Sequence, residues 1–164
     1  LQKITERFSK IGSIPELLPT DVAETIRSTV EYLKTRSSGK VRFILDFDQE
    51  RNYFVPLNAS LFSWVIENLC KNAIDAMNNA GTIQISIIEK PDQYFIEVAD
   101  TGKGISKAYF KTVFQPGFTT KKRGWGLGLS LAKRIVENYH KGKIYLKQSE
   151  INKGSTFRIV LNKL

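Results

Sequence analysis

The chain has 164 residues, 41% of them apolar and 25% charged, which suits one globular domain with a sizeable core. No apolar run is long enough to span a bilayer and no signal-peptide pattern opens the chain, while a single cysteine, Cys70, excludes an internal disulfide and reads as a small core residue in a reducing compartment. The net charge of +9 is spread along the chain, with Lys121, Lys122 and Arg123 its one tight run, so a solvated basic surface is expected and no nucleic-acid partner.

Leu1, Ile4, Phe8 and Ile11 have the 3-4-3 spacing of a helical seam, cut at its start as if continuing a longer helix. Gly12 and the prolines at 15 and 19 end it, so residues 1–15 read as a helix end plus linker and 16–164 as the domain proper. Thr20 and Asp21, with Glu24 three residues on, carry helix N-cap chemistry, and Val22, Ile26, Val30 and Leu33 give that helix one apolar face. VRFILDF alternates as a strand. Asn58 caps a helix over 59–79 whose buried face is Val65, Ile66, Leu69, Ala73 and Met77. TIQISIIEK and QYFIEVAD, split at 91–92, read as an antiparallel hairpin that ends on Asp100. A short helix over 107–113, a loop over 114–123, a helix over 127–139 and a last hairpin, KGKIYLKQS with STFRIVL, complete the chain. Helices interspersed among antiparallel pairs define an α+β fold, a two-layer α/β sandwich whose mixed sheet carries its helices on one face.

Three stretches point to a phosphate-bearing ligand. Asp100 ends a strand and runs into Gly102 and Gly104, which sets a fixed acceptor beside bare backbone, as a purine requires. Asn68, Asn72 and Asp75 share one side of their helix, and such oxygens suit magnesium, which takes few protein ligands and completes its shell with phosphate. Gly124, Gly126 and Gly128 open a helix, where free N–H groups favour phosphate, although neither the Walker nor the Rossmann spacing is met. Lys121, Lys122 and Arg123 precede them and could meet the same charge.

Taken together, ENLCKNAIDAM, DTGKGI, FQPGFTT and GWGLGLSLAKRIVE resemble the N, G1, F and G2 boxes of the ATP-binding catalytic domain of sensor histidine kinases. The wider superfamily includes gyrase, a heat-shock chaperone and MutL. The resemblance runs from about residue 20 to the end of the chain and implies ATP and magnesium as cofactors and a mobile lid over the triphosphate. By position, Asp100 would accept the adenine amino group, with Gly102, Gly104 and Ile105 shaping the wall and Ser155 holding a shared water. Asn72 would hold magnesium, with Asn68 one turn earlier and Asp75 beside the phosphates. Phe114 and Phe118 would pack the lid, while Thr119, Thr120, Lys121, Arg123, Gly124, Gly126, Leu127, Gly128 and Leu129 would cover the phosphates.

The resemblance also implies a substrate that this sequence lacks. The family phosphorylates a histidine on a separate helical hairpin, the dimerisation domain, for relay to a response-regulator receiver domain. The lone histidine, His140, sits at a helix end and is expected to cap carbonyls; the seam over 1–11 resembles the tail of that hairpin. A homodimer is thus implied for the full protein, a monomer for this chain, and a cytoplasmic place, either free or as the cytosolic part of a membrane-anchored sensor. ATPase branches of the superfamily carry a water-activating glutamate four residues before the magnesium asparagine. Asn68 stands there and cannot act as a general base, so transfer to an external nucleophile is expected over hydrolysis. Asp75 stands where many histidine kinases have a lysine, leaving Lys71 or residues 121–123 to supply a basic phosphate contact. An anti-sigma-type protein-serine kinase and a non-catalytic nucleotide-binding signalling module are the alternative readings.

Overall fold

The computed structural model describes residues 14–118 and 128–164. The strands are β1 (Leu18–Asp21), β2 (Val41–Asp46), β3 (Phe54–Leu57), β4 (Gly81–Glu89), β5 (Gln93–Asp100), β6 (Lys143–Glu150) and β7 (Gly154–Asn162). The helices are α1 (Val22–Lys34), α2 (Ala59–Ala76) and α3 (Gly128–Arg134), the last running into a π turn at Ile135–Tyr139. Five strands form one sheet in the order β2-β4-β5-β7-β6, parallel between β2 and β4 and antiparallel elsewhere. This is the expected mixed, mostly antiparallel sheet of a two-layer sandwich.

Period-2 alternation sends one set of side chains to the helix layer. Leu45, Ile85, Val98, Phe157 and Leu146 stand in register across all five strands, and Ile87, Ile96, Ile159 and Ile144 form a second row across β4, β5, β7 and β6. Against them pack Ile26, Val30 and Leu33 of α1 and Phe62, Ile66, Leu69 and Ala73 of α2, all buried. Each large apolar side chain moved from water into this layer contributes about 1.5–3 kcal/mol. Cys70 lies fully buried among them, and burial pushes its thiol up to about 12. It is a core residue, as its setting in the sequence suggests. The other sheet face is polar, with Glu97 held by Arg158 (Nε to Oε2, 2.7 Å) and Lys147 (Nζ to Oε2, 3.1 Å).

The departures from expectation are local. The prolines at 19 and 56 sit opposite one another in β1 and β3, a separate two-stranded antiparallel sheet rather than a linker. Proline is tolerated because each strand has a free edge. Asp21 caps α1 through Ala23 (N to Oδ1, 3.1 Å) but spends its second contact on the Tyr53 N–H (3.0 Å), and Glu24 turns to Arg27 (3.2 Å) instead of closing a capping box. Helix α2 stops at Ala76, short of residue 79, because Asn78 and Asn79 adopt φ of 54° and 63°. Residues 107–113 form no helix of their own; Lys107–Tyr109 and Thr112–Phe114 are two separate 3-10 turns. The seam at 1–11 lies outside the described residues.

Candidate functional site

Asp100 has the same parity as Tyr94, Ile96 and Val98, so its carboxylate belongs to the apolar, helix-facing side of the sheet. It stands one residue beyond the last β5–β7 pair, Ala99 with Thr156, next to Ser155. Oδ1 accepts the backbone N–H of Gly102 at 2.8 Å and of Ser155 at 3.3 Å. Burial raises the carboxyl above its ordinary pKa, and the two N–H groups oppose that rise without cancelling it. Among the described residues Oδ2 of this half-buried carboxyl carries no hydrogen bond, which leaves an acceptor at the rim of an apolar surface.

The glycine loop after Asp100 is wedged between two elements. A Cβ on Gly102 would lie 2.8 Å from the backbone carbonyl of Ala76, at the end of α2. Lys103 stitches the same region with its backbone, donating to Ala76 O (3.0 Å) and accepting from Asn152 N (2.8 Å). Gly104 has φ +78°, and a Cβ there would run into the Glu150 carbonyl. Ile105 is half-buried, and its N–H donates to Ser149 Oγ at 2.6 Å. Ser149 in turn meets Ser155 Oγ at 2.7 Å, and Ser155 is 5% exposed. Sequence reasoning missed Ser149, because a β-bulge at Lys147 shifts the pairing between Leu146 and Gln148 and re-aims it.

Across from this loop lies the polar side of α2. Asn68 and Asn72 are half-buried and Asp75 is exposed, so the structure brings the first two toward the interior and leaves the third at the rim. Asn68 Nδ2 is buried with no hydrogen-bond partner among the described residues, and a Cβ on Gly128 would strike the Asn68 amide. A buried donor without a partner is costly, on the order of 1–3 kcal/mol. The bare backbone of Gly128, at the start of α3, is what leaves room beside it. Glu67, the carboxylate next in sequence, is paired with Lys71 (3.0 Å).

Phe114 is buried edge-on against Phe157, with centroids 5.9 Å apart, and Phe118 tilts against Tyr109 at 5.6 Å. Leu129 packs on the core from the first turn of α3. The expected contacts of Thr119, Thr120, Lys121, Arg123, Gly124, Gly126 and Leu127 fall on residues 119–127, outside the described residues. His140 caps a carbonyl, as expected: Nδ1 donates to Ile135 O at 2.9 Å. Its Nε2 accepts the backbone N–H of Asn58 at 3.0 Å, and the side chain is 5% exposed, so both nitrogens are engaged within the fold.

An apolar sheet face ending on a carboxylate, next to glycine backbone and a buried amide, is a site for a flat base carrying a donor group and an anionic tail. Residues 58–164 match the family described as histidine kinase-, DNA gyrase B-, and HSP90-like ATPase, and the chain belongs to that family. ATP is the nucleotide that membership brings. Signal transduction histidine-protein kinase AtoS of Escherichia coli (strain K12) is 38% identical over 126 residues, 75% of this chain and 20% of that protein. Sporulation kinase A of Bacillus subtilis (strain 168) is 32% identical over 127 residues, 77% of this chain and 21% of that one. The chain thus spans about a fifth of the length of these curated relatives. Among solved structures, the nucleotide-free catalytic domain of histidine kinase ThkA superposes with a TM-score of 0.81 at 29% identity, covering 91% of this chain and 97% of that domain. ThkA in complex with the response regulator protein TrrA gives the same TM-score at 24% identity, covering 99% of this chain and 47% of that one, a likeness of fold. No helix among the described residues is long and apolar enough to cross a membrane.

Proposed function

We propose that this chain is the ATP-binding kinase domain of a two-component sensor histidine kinase. It transfers the γ-phosphoryl group of ATP to a histidine on a separate dimerisation domain, from which a response regulator receives it. The relatives named above support this reading, and the observation that carries it is Asn68. An amide whose buried N–H has no partner among the described residues occupies the place beside the Gly128 backbone. It can donate to a phosphate oxygen but cannot take a proton from water.

Each residue then has a task. Asp100 accepts the amino group of adenine, while Gly102, Gly104 and Ile105 form the wall beside the base and Ser155 completes its polar edge. Asn68 meets phosphate, and Asn72 offers a hard oxygen to a magnesium ion. Among the described residues no three His, Cys, Asp or Glu side chains gather into a metal cluster. A magnesium held by one amide and the phosphates themselves fits that donor set, and when bound it neutralises charge on the transferring group. Catalysis is then positioning and charge neutralisation, with Thr119, Thr120, Lys121, Arg123, Gly124, Gly126, Leu127, Gly128 and Leu129 covering the phosphates as a lid. Residues 1–15 would belong to the helix leading out of the dimerisation hairpin, the rest of the protein forming the homodimer in the cytoplasm.

The test is transfer of label from Mg-[γ-32P]ATP to the parent protein's helical hairpin, supplied as a separate domain. Acid-labile, alkali-stable label on the hairpin is expected, with little free phosphate. Free phosphate released without hairpin label would instead make this a hydrolase.

A further inference from the structure

Ser149 lies on an edge strand and on none of the four sequence boxes. We infer that it is a positioning residue for the nucleobase, an inference that rests on the nucleotide reading above. Inner-facing residues of β6 run Ile144, Leu146, and unbroken alternation would next send Gln148 inward. The extra residue at the bulge instead pairs Gln148 with Thr156 and Ser149 with Ser155. The register therefore closes on a row of Ile83, Asp100, Ser155 and Ser149, in which the apolar inner face turns polar at one edge.

From that place one hydroxyl holds both walls of the base site. Ser149 Oγ accepts the Ile105 N–H (2.6 Å), which fixes the far end of the glycine loop that begins at Asp100. It also meets Ser155 Oγ (2.7 Å) and the Gly154 carbonyl (3.2 Å). Ser155 is the residue whose own N–H donates to Asp100 Oδ1, so the same hydroxyl reaches both hydrogen-bond donors' neighbourhoods, the loop and the strand. Gly104, on the loop, cannot be replaced as an anchor by a side chain of its own, since its φ and the Glu150 carbonyl exclude one. The single carbonyl and two hydroxyls compete for two hydroxyl protons, and with the Ile105 N–H donating as well Ser149 has little capacity left for solvent.

Without that hydroxyl, the Ile105 N–H and Ser155 Oγ lose a shared partner, and the far end of the loop is released from the strand while its near end stays tied to Asp100 through Gly102. A looser pair of walls lowers discrimination between a base that presents a donor to Asp100 and one that presents an acceptor there. The experiment is calorimetric titration of the whole chain, wild type, Ser149→Ala and Ser149→Thr, with ATP, AMP and, by competition, GTP, alongside thermal melts. Ser149→Ala is expected to weaken ATP and AMP by the same factor, about 10-fold, and to leave GTP nearly unchanged, so that the ATP-to-GTP preference narrows. Ser149→Thr, which keeps the hydroxyl, restores both affinity and preference. Wild-type affinity in Ser149→Ala overturns the inference, and so does a loss shared equally by GTP or one that Ser149→Thr fails to rescue. If Ser149→Ala does not fold, Ser149→Cys keeps the volume with a weak acceptor and makes the same comparison. Failure of the wild-type chain to bind ATP at all would instead remove the nucleotide reading.

Discussion

His140 accepts the backbone N–H of Asn58 at 3.0 Å, joining residues 82 positions apart. Asn58 is the N-cap of α2, its own Oδ1 accepting from Leu61 at 3.1 Å, and His140 follows the π turn that ends α3. One imidazole thus ties the start of the helix bearing Asn68 and Asn72 to the end of the helix whose first residue faces Asn68. Nδ1 donates to Ile135, so Nε2 accepts only while the ring is neutral.

The pH consequence has a definite sign. Burial lowers the His140 pKa, so the unfolded chain takes up the proton first as pH falls. Its contribution to stability is full above about pH 6.5, the ordinary histidine value. It is lost between there and the lower folded-state pKa. Urea denaturation across that range should show a slope that His140→Ala abolishes. At neutral pH the same substitution should cost about 2–3 kcal/mol, from the stranded Asn58 N–H and a small cavity, since the Ile135 carbonyl keeps the backbone N–H of residue 140.

Asp100 has the opposite linkage. Its pKa is raised, so its contribution is full below the ordinary carboxylate value and declines as pH rises through the folded-state pKa. Above that pKa the ionised group is therefore a local cost. Asp100→Asn, whose amide oxygen can still accept from Gly102 and Ser155, should raise the melting temperature of the nucleotide-free chain. A fall would show that the carboxylate is there for stability.

The two glycines that face α2 should respond differently. Gly102→Ala drives a Cβ against the Ala76 backbone, which cannot move aside, and should destabilise by about 1–3 kcal/mol in a denaturant titration. Gly128→Ala meets the end of a side chain, the Asn68 amide, and should lower ATP affinity while leaving the unfolding free energy within about 0.5 kcal/mol of wild type.

Asn72→Ala tests the metal. If Asn72 holds the ion as proposed, ATP affinity with magnesium should fall more than affinity measured in a chelator. Equal losses under both conditions would assign Asn72 to the phosphates alone.

What could be read from the sequence follows from the range of the interactions involved. The strand ending on Asp100 is legible because alternation over QYFIEVAD is unbroken, and the helix bearing Asn68 because its cap and apolar stripe agree. Cys70 and the carbonyl-capping side of His140 are local in the same sense. The pairing of β1 with β3 is not legible, since Pro19, which reads as linker punctuation, faces Pro56 across a two-stranded sheet. Nor is the bulge at Lys147, where the alternation of Ile144 and Leu146 gives no sign that the next inward residue is Ser149. The Asn58 partner of His140 is likewise set by packing of distant elements.

The most direct measurement is calorimetric titration of the wild-type chain and Asp100→Asn with ATP in the presence of magnesium. Saturable binding by the wild type is predicted, weakened about 10- to 150-fold by Asp100→Asn, the loss of roughly 1.5–3 kcal/mol expected for a charge-assisted hydrogen bond. Equal affinity in the two proteins, or no binding at millimolar nucleotide, would contradict the assignment of this pocket to ATP.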